Sequence, residues 1–176
     1  MITIDFLDLD SRQAWVELPV NPSEPSQGSA RFLLQDVPYA KWQSIIMEIV
    51  TAGEAMTKAL DALHQDGSEQ ATAAFGQSLA RVLRAQTQAV RWGVAGHQDI
   101  ANSSGEIAFE SETVTFDGVT YKVASAKMLK LYTLIGRDKQ GGSTLLAQLS
   151  GAIRRHQAGE EQPSLEALWT SASSKE

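Results

Sequence analysis

His97 and Asp99 are the one pair in this chain whose types and spacing could do acid–base chemistry. A carboxylate two residues from an imidazole can orient the ring as in a general acid/base pair, provided that a nucleophile or proton donor lies nearby in space. A turn-stabilising hydrogen bond accounts for the same pair without chemistry and is the favoured alternative. His64 and His156 fall near the ends of helical patterns, where a positive side chain interacts favourably with the helix dipole. Asp8 and Asp10 suggest a calcium loop, but an EF-hand loop needs glycine at its sixth position and glutamate at its twelfth. Gln13 and Pro19 stand there, so these aspartates are expected to serve a turn. Arg81, Arg84 and Arg91 could form a basic strip along one helix, though a solvated face paired with nearby glutamates or glutamines explains them more simply. The sequence contains no cysteine, which excludes a disulfide framework, a thiolate zinc site and a cysteine nucleophile. Phosphate-loop, nucleophile-elbow and zinc-helix motifs are missing as well. No catalytic, cofactor-binding or metal-binding residue is therefore assigned, and the chain is not expected to be an enzyme.

The elements that would position any site are easier to read. With 176 residues and 43% hydrophobic content, the chain fits one α+β domain, predominantly helical, able to bury a core without staples. The net charge is -6, with basic residues scattered among acidic ones, which argues against nucleic acid as a partner. No apolar run is long enough to span a bilayer, and the acidic N-terminus does not suit a signal peptide, so a cytoplasmic location is expected. Alternation of apolar and polar residues predicts strands over 2–6, 14–18 and 31–35, joined in a small N-terminal antiparallel sheet, with an exposed proline-rich loop over 19–29. Asp36 is expected to cap a helix whose first turn contains Pro38. Apolar residues at three- and four-residue spacing then predict a helical hairpin over about 38–92, broken at Asp66-Gly67-Ser68. Its second helix is expected to turn Ala71, Phe75, Leu79, Val82, Leu83, Ala89 and Val90 inward. Gly53, inside the first helix, predicts a bend or close packing against another helix.

Val90-Arg91-Trp92-Gly93-Val94-Ala95-Gly96-His97 reads as a pivot, in which two glycines release the backbone from helical geometry. Residues 98–105 read as a polar connection. A β-hairpin over about 113–123 follows, because Asp117-Gly118 suits a type I′ turn, and its register sets Phe116 opposite Val119 and Val114 opposite Tyr121. Helices over about 126–135 and 144–158, capped by Ser125 and Ser143, complete a domain spanning 1–159. Residues 160–176 form a polar tail in which Leu165, Leu168 and Trp169 make a short amphipathic segment that either folds back or docks on a partner. Trp15, Trp42, Trp92 and Trp169 are expected in the core or an interface rather than as a platform for bases.

Three stretches carry a family resemblance: Arg31-Phe32-Leu33-Leu34-Gln35-Asp36-Val37-Pro38 before a helix containing Trp42, the pivot ending in His97, and Phe116-Asp117-Gly118-Val119-Thr120-Tyr121-Lys122-Val123. In this order the chain resembles the tail assembly chaperones of long-tailed bacteriophages over roughly residues 30–156; the first 29 residues and the Trp169 segment lie outside the resemblance. The resemblance implies a non-enzymatic protein of the bacterial host cytoplasm that binds a tail tube or tape-measure protein before polymerisation. No catalytic residue carries over, since that family has none. The expected contact residues are Leu165, Leu168, Trp169, Trp92 and His97, or a groove between the helices. A structural virion component, such as a tail completion or connector subunit, and a small enzyme using His97 and Asp99 are the alternatives.

Overall fold

The computed structural model describes residues 12–21, 27–135 and 144–168. Expectations for residues 1–11, including the strand over 2–6 and the Asp8/Asp10 turn, lie outside the described residues, as do the Ser143 cap and Trp169. The fold is α+β, with a small antiparallel sheet, a long helical hairpin, a later β-hairpin and two further helices.

Strands β1 (Gln13–Pro19) and β2 (Ser29–Gln35) pair antiparallel, from Gln13 opposite Gln35 to Pro19 opposite Ser29. Their period of two sends Val16, Leu18, Ala30, Phe32 and Leu34 to one buried face. Trp15 and Arg31 lie on the other, with the guanidinium 5.2 Å from the indole centroid. The third strand of the sheet comes from the pivot: β3 (Val94–Gln98) pairs with β2 and leaves the order β1-β2-β3. The register pairs Phe32 with His97, Leu33 with Gly96, and then Leu34 with Val94, so Ala95 is an extra residue in a bulge. In a regular strand, residues three apart face opposite ways. The bulge shifts the phase and turns both Val94 and His97 toward the core.

Two long helices separate β2 from β3. Helix α1 (Tyr39–Asp66) begins without a side-chain cap. The expected cap, Asp36, instead accepts from Arg12 at 3.2 Å, and its other oxygen lies 3.4 Å from His156 Nε2. These contacts tie the strand end to the C-terminal region. Gly67 ends α1 at φ 60, its amide donating to the Leu63 carbonyl at 3.0 Å. Ser68 Oγ then accepts from the Ala71 amide at 3.2 Å and caps α2 (Glu69–Gly93).

The seam between these helices follows a three–four repeat: Trp42, Ile45, Ile49, Ala52, Met56, Ala59 and Leu63 on α1, and Ala71, Phe75, Ser78, Val82, Ala85, Ala89 and Trp92 on α2. With the turn at Gly67, this register sets large residues level with small ones: Ile49 with Ala85, Val82 with Ala52, Met56 with Ser78 and Phe75 with Ala59. Leu79 and Leu83, expected inside, are outside; Ser78 and Ala85 take the buried positions. Nothing lies within 4 Å of a Cβ placed on Gly53, so the close packing expected there is not made.

At the base of the hairpin α2 runs into β3 without a loop. Neither Gly93 nor Gly96 has a positive φ, which corrects the expectation that they free the backbone. Gly93 is needed for space: a Cβ there would meet Ile153 Cγ2 at 2.6 Å. The polar connection after β3 folds into a two-residue ladder of β4 (Ala101–Asn102) and β5 (Gly105–Glu106). Strands β6 (Ser111–Phe116) and β7 (Val119–Ala124) form the expected hairpin, with Asp117 at φ 50 and Gly118 at φ 76 as a type I′ turn requires. Ser125 caps α3 (Ala126–Leu134), and α4 (Thr144–Ala158) buries Leu145, Leu146, Leu149 and Ile153 as expected. The main core lies between the inner face of the β1-β2-β3 sheet and helices α3, α4 and the base of the hairpin. Each fully buried leucine there is worth about 1.5–3 kcal/mol of transfer free energy.

Candidate protein-binding site

His97 is buried beneath the sheet, where the bulge directs it, and both ring nitrogens are engaged. Nε2 lies 2.7 Å from the Ile107 carbonyl and Nδ1 lies 2.7 Å from the Tyr132 hydroxyl. A carbonyl only accepts, so Nε2 carries the proton and Nδ1 accepts from Tyr132. Phe32 and Phe109 pack edge-on against Tyr132 and His97 at 5.6 Å between centroids. Burial pushes the Tyr132 phenol well above its ordinary pKa. Asp99 sits outside this cluster, exposed and at φ 65, in the left-handed region that aspartate tolerates better than most residues. The acid–base pairing of His97 with Asp99, the less favoured of the two readings, is not formed, and the buried His97 offers no contact surface to a partner. It is a structural tie between β3, the Ile107 segment and α3.

Trp92 is buried as well, with Phe116 and Tyr121 edge-on at 5.8 and 5.6 Å and Lys41 Nζ 5.5 Å from its ring. It forms part of the wall of a cleft of about 590 Å³ whose more open sides carry Tyr39, Tyr121 and Lys122. Side-chain amides hold this region together. Gln35 Nε2 donates to the carbonyls of Trp92 and Lys122 at 2.9 and 3.0 Å. Gln157 accepts from the Val37 amide at 2.9 Å and donates to its carbonyl at 3.0 Å, as a neighbouring strand would. Trp92 thus serves the core first, with little surface left for a partner.

The C-terminal segment folds back as far as it is described. Gln162 donates to the Ala152 carbonyl at 2.9 Å and accepts from Arg155 Nε at 3.1 Å, pinning the chain to α4. Ser164 Oγ then caps one helical turn over 165–168, accepting from the Ala167 amide at 3.2 Å. Leu165 is half-buried and Leu168 packs against the core. Those two leucines are engaged by their own domain, which favours the fold-back alternative for this part of the tail.

Among the described residues, several of the exposed large apolar side chains lie on the helical hairpin. Helix α1 packs mainly on α2, and beyond Ile49 and Ala89 neither helix contributes to the main core, so the distal turns stand clear of the body. The three–four seam divides the rest of the hairpin into two sides. On one side Arg81 grips Glu48 with two bonds of 2.8 and 3.1 Å, and Lys58 and Arg84 lie nearby by register. Arg81, followed by Arg84, holds the Glu48 carboxyl below its usual range. Arg91, nearer the base, pairs with Glu112. These contacts confirm that Arg81 and Arg91 are partnered by carboxylates. On the other side, Ile46, Val50, Gly53, Thr57 and Leu60 of α1 lie beside Leu79 and Leu83 of α2. Val50 is 50% exposed, Leu60 37%, Leu79 38% and Leu83 44%. At its base this side is covered by α4 through Gly93 and Ile153. The sequence carried a signal for it, since seven residues of α2 obey a strict three–four repeat that leaves Leu79 and Leu83 out.

Among the described residues no group of three or more histidine, cysteine, aspartate or glutamate side chains could hold a metal ion, and no helix is long and apolar enough to cross a membrane. No protein-family model matches the chain, nor does any curated protein sequence or solved structure.

Proposed function

We propose that the chain is a non-enzymatic protein-binding factor, acting as a tail assembly chaperone that holds an apolar surface of a tail tube or tape-measure protein until polymerisation replaces it. The observation that carries this reading is the bare apolar side of the distal hairpin, formed by Val50, Leu60, Leu79 and Leu83. A groove between two helices takes the apolar face of a third, and leucine-sized anchors spaced along it supply most of the energy of such contacts. This is the groove alternative for binding; it replaces Trp92 and His97, both buried, as the contact residues. The client class comes from the resemblance alone. Such a factor works in the host cytoplasm and dissociates before the particle is complete.

The test is co-expression of the chain with tube and tape-measure proteins, followed by tag purification. A client that co-purifies, and precipitates without the chain, supports the proposal. Leu79→Gln with Leu83→Gln should abolish capture while leaving the melting temperature unchanged. Capture that survives this pair overturns the hairpin as the binding side. Recovery of the chain at fixed stoichiometry in finished particles would replace a chaperone with a virion component.

A further inference from the structure

Strand β1 is an edge of the three-stranded sheet, and the ladder shows which of its backbone groups are left over. Val20 donates to the Gly28 carbonyl at 3.0 Å, and the unbroken register from Pro19 opposite Ser29 to Gln13 opposite Gln35 carries that pairing on in steps of two. Ala14, Val16 and Leu18 therefore direct their amides and carbonyls to β2, whereas Gln13, Trp15, Glu17 and Pro19 turn theirs away from it. Pro19 has no amide hydrogen and its carbonyl accepts from Gln148 at 3.0 Å, which closes the row at one end. At the other end the Arg12 amide donates to Asp36, and its carbonyl lies 2.9 Å from His156 Nε2. The open row is Gln13, Trp15 and Glu17.

Edges of this kind are usually blunted by proline, lysine, a bulge or a covering element. Between Gln13 and Glu17 there is no proline, lysine or bulge, and Gln13, Ala14, Trp15 and Glu17 are all exposed. The side chains also leave the row clear. The Trp15 indole lies back across the outer face of the sheet under the Arg31 guanidinium, with its far carbon 4.0 Å from a Cβ placed on Gly96 of β3. The Glu17 carboxylate is held by the Ser29 hydroxyl on β2.

We propose that a second copy of this chain pairs with the row, β1 against β1, antiparallel about a two-fold axis at Trp15. Alternating unpaired amides and carbonyls fit an extended strand, and this strand is complementary to itself. With Trp15 opposite Trp15 of the second copy, each Gln13 lies opposite the other copy's Glu17. Every group of the row is then used, because each opposed pair exchanges two bonds. A side-chain amide faces a carboxylate, Ala14 faces Val16, and no like charges are opposed. Slipping by two residues in one direction sets Gln13 against Pro19, whose carbonyl is taken and whose nitrogen cannot donate. Slipping in the other direction carries Glu17 past the end of the row. The paired sheet runs continuously as β3-β2-β1-β1-β2-β3, and the assembly carries two helical hairpins. This inference is independent of what the hairpin binds.

The chain has no cysteine, so Trp15→Cys introduces a single thiol. Directly opposed residues of this type have Cα atoms about 5.5 Å apart, within disulfide reach. Under mild oxidation Trp15→Cys should cross-link into a covalent dimer. Ala14→Cys and Gln13→Cys, each displaced along the strand from its own copy, should not. Sedimentation equilibrium of the parent chain at about 0.15 M salt, where the Debye length is about 8 Å, should show a concentration-dependent dimer. Glu17→Pro removes an outward amide that β2 does not use, so it should give a monomer with unchanged circular dichroism, while Glu17→Ala stays dimeric. A parent chain that stays monomeric at every concentration overturns the proposal, and slow hydrogen exchange of the Trp15 and Glu17 amides in that monomer would assign the edge to a segment of the same chain. Cross-linking by Ala14→Cys in preference to Trp15→Cys overturns the register. A dimer that survives Glu17→Pro but dissolves on Leu79→Gln with Leu83→Gln belongs to the apolar strip of the hairpin and overturns the edge as the interface. Client capture by the Glu17→Pro chain would leave the proposed function standing whichever way the dimer falls.

Discussion

Gly93→Ala tests whether space, rather than backbone freedom, fixes glycine at the junction of α2 and β3. The residue is the last of α2 and has no positive φ, so alanine meets no backbone strain there. Helix propensity alone would favour the substitution by up to about 1 kcal/mol. Against this, the new Cβ falls 2.6 Å from Ile153 Cγ2 and 2.8 Å from Cγ1 and Cδ1. Comfortable carbon contacts are about 3.5–4.0 Å, so roughly 1 Å of movement is required. Ile153 is fully buried, and α4 is tied down by both bonds of Gln157 to Val37. Overpacking of this kind costs about 1–3 kcal/mol, so with the propensity gain subtracted in full the net change runs from about zero to a loss of about 2 kcal/mol. Ile153→Ala removes all three clashing atoms and alone costs about 2–5 kcal/mol through its cavity. In that background Gly93→Ala should cost nothing or stabilise, giving a coupling of about 1–3 kcal/mol in a double-mutant cycle. Urea unfolding of the four proteins, compared at equal m-values, measures it. A coupling near zero, with Gly93→Ala giving the same change with and without Ile153, refutes the steric account.

Three further outcomes follow from local geometry. Tyr132→Phe leaves His97 Nδ1 buried without its donor and should lower stability by about 1–3 kcal/mol at neutral pH, measured by urea unfolding. Because burial raises the Tyr132 pKa above its ordinary value of 10.0, the folded state retains a proton that the unfolded state releases. The contribution is therefore full below pH 10.0 and declines as pH rises above it, by up to about 1.4 kcal/mol per unit, a slope that Tyr132→Phe should lack in melts at alkaline pH. Gly118→Ala forces a Cβ into the left-handed region at φ 76 and should cost about 1–2 kcal/mol by urea unfolding, with the same penalty in a shortened 108–126 peptide read as lost hairpin signal by NMR. Ser68→Ala removes the α2 cap and should cost about 1 kcal/mol in the same unfolding assay.

The parts legible in the sequence are those governed by local rules. Asp117-Gly118 fixed the turn and register of β6–β7, and Gly67-Ser68 fixed the end of one helix and the start of the next, because each depends on a few adjacent residues. What local pattern could not give was partnership between distant segments. Val94–Gln98 pairs with a strand more than fifty residues earlier, and its bulge breaks the alternation that would have marked it as a strand. Asp36 looks like a cap, yet Arg12 and His156 compete for its carboxylate across long sequence separations. The inward face of α2 departs from its hydrophobic pattern for a related reason. Leucines outrank alanine and serine in any hydrophobic count, whereas a close-packed helix pair needs small residues opposite large ones. For the candidate site this departure matters, because the leucines excluded from the seam form the apolar strip. His97 and Trp92 stood out by residue type, but chemistry-bearing types are as useful for tying a core together as for meeting a partner.

Because β2 and β3 are neighbours in one sheet, the whole helical hairpin occupies the place of a turn between adjacent strands. Its length is consequently a free parameter of the design. Removing one heptad from α1 and the matching heptad from α2 preserves the seam and returns the chain to the sheet at the same angle. Each such step shortens the projection by about 10 Å. Removing a single residue from one helix instead rotates everything beyond it by about 100° and misaligns β3 with Phe32 and Leu34. The reach of the apolar strip can thus be changed in whole heptads while the body that carries it stays as it is.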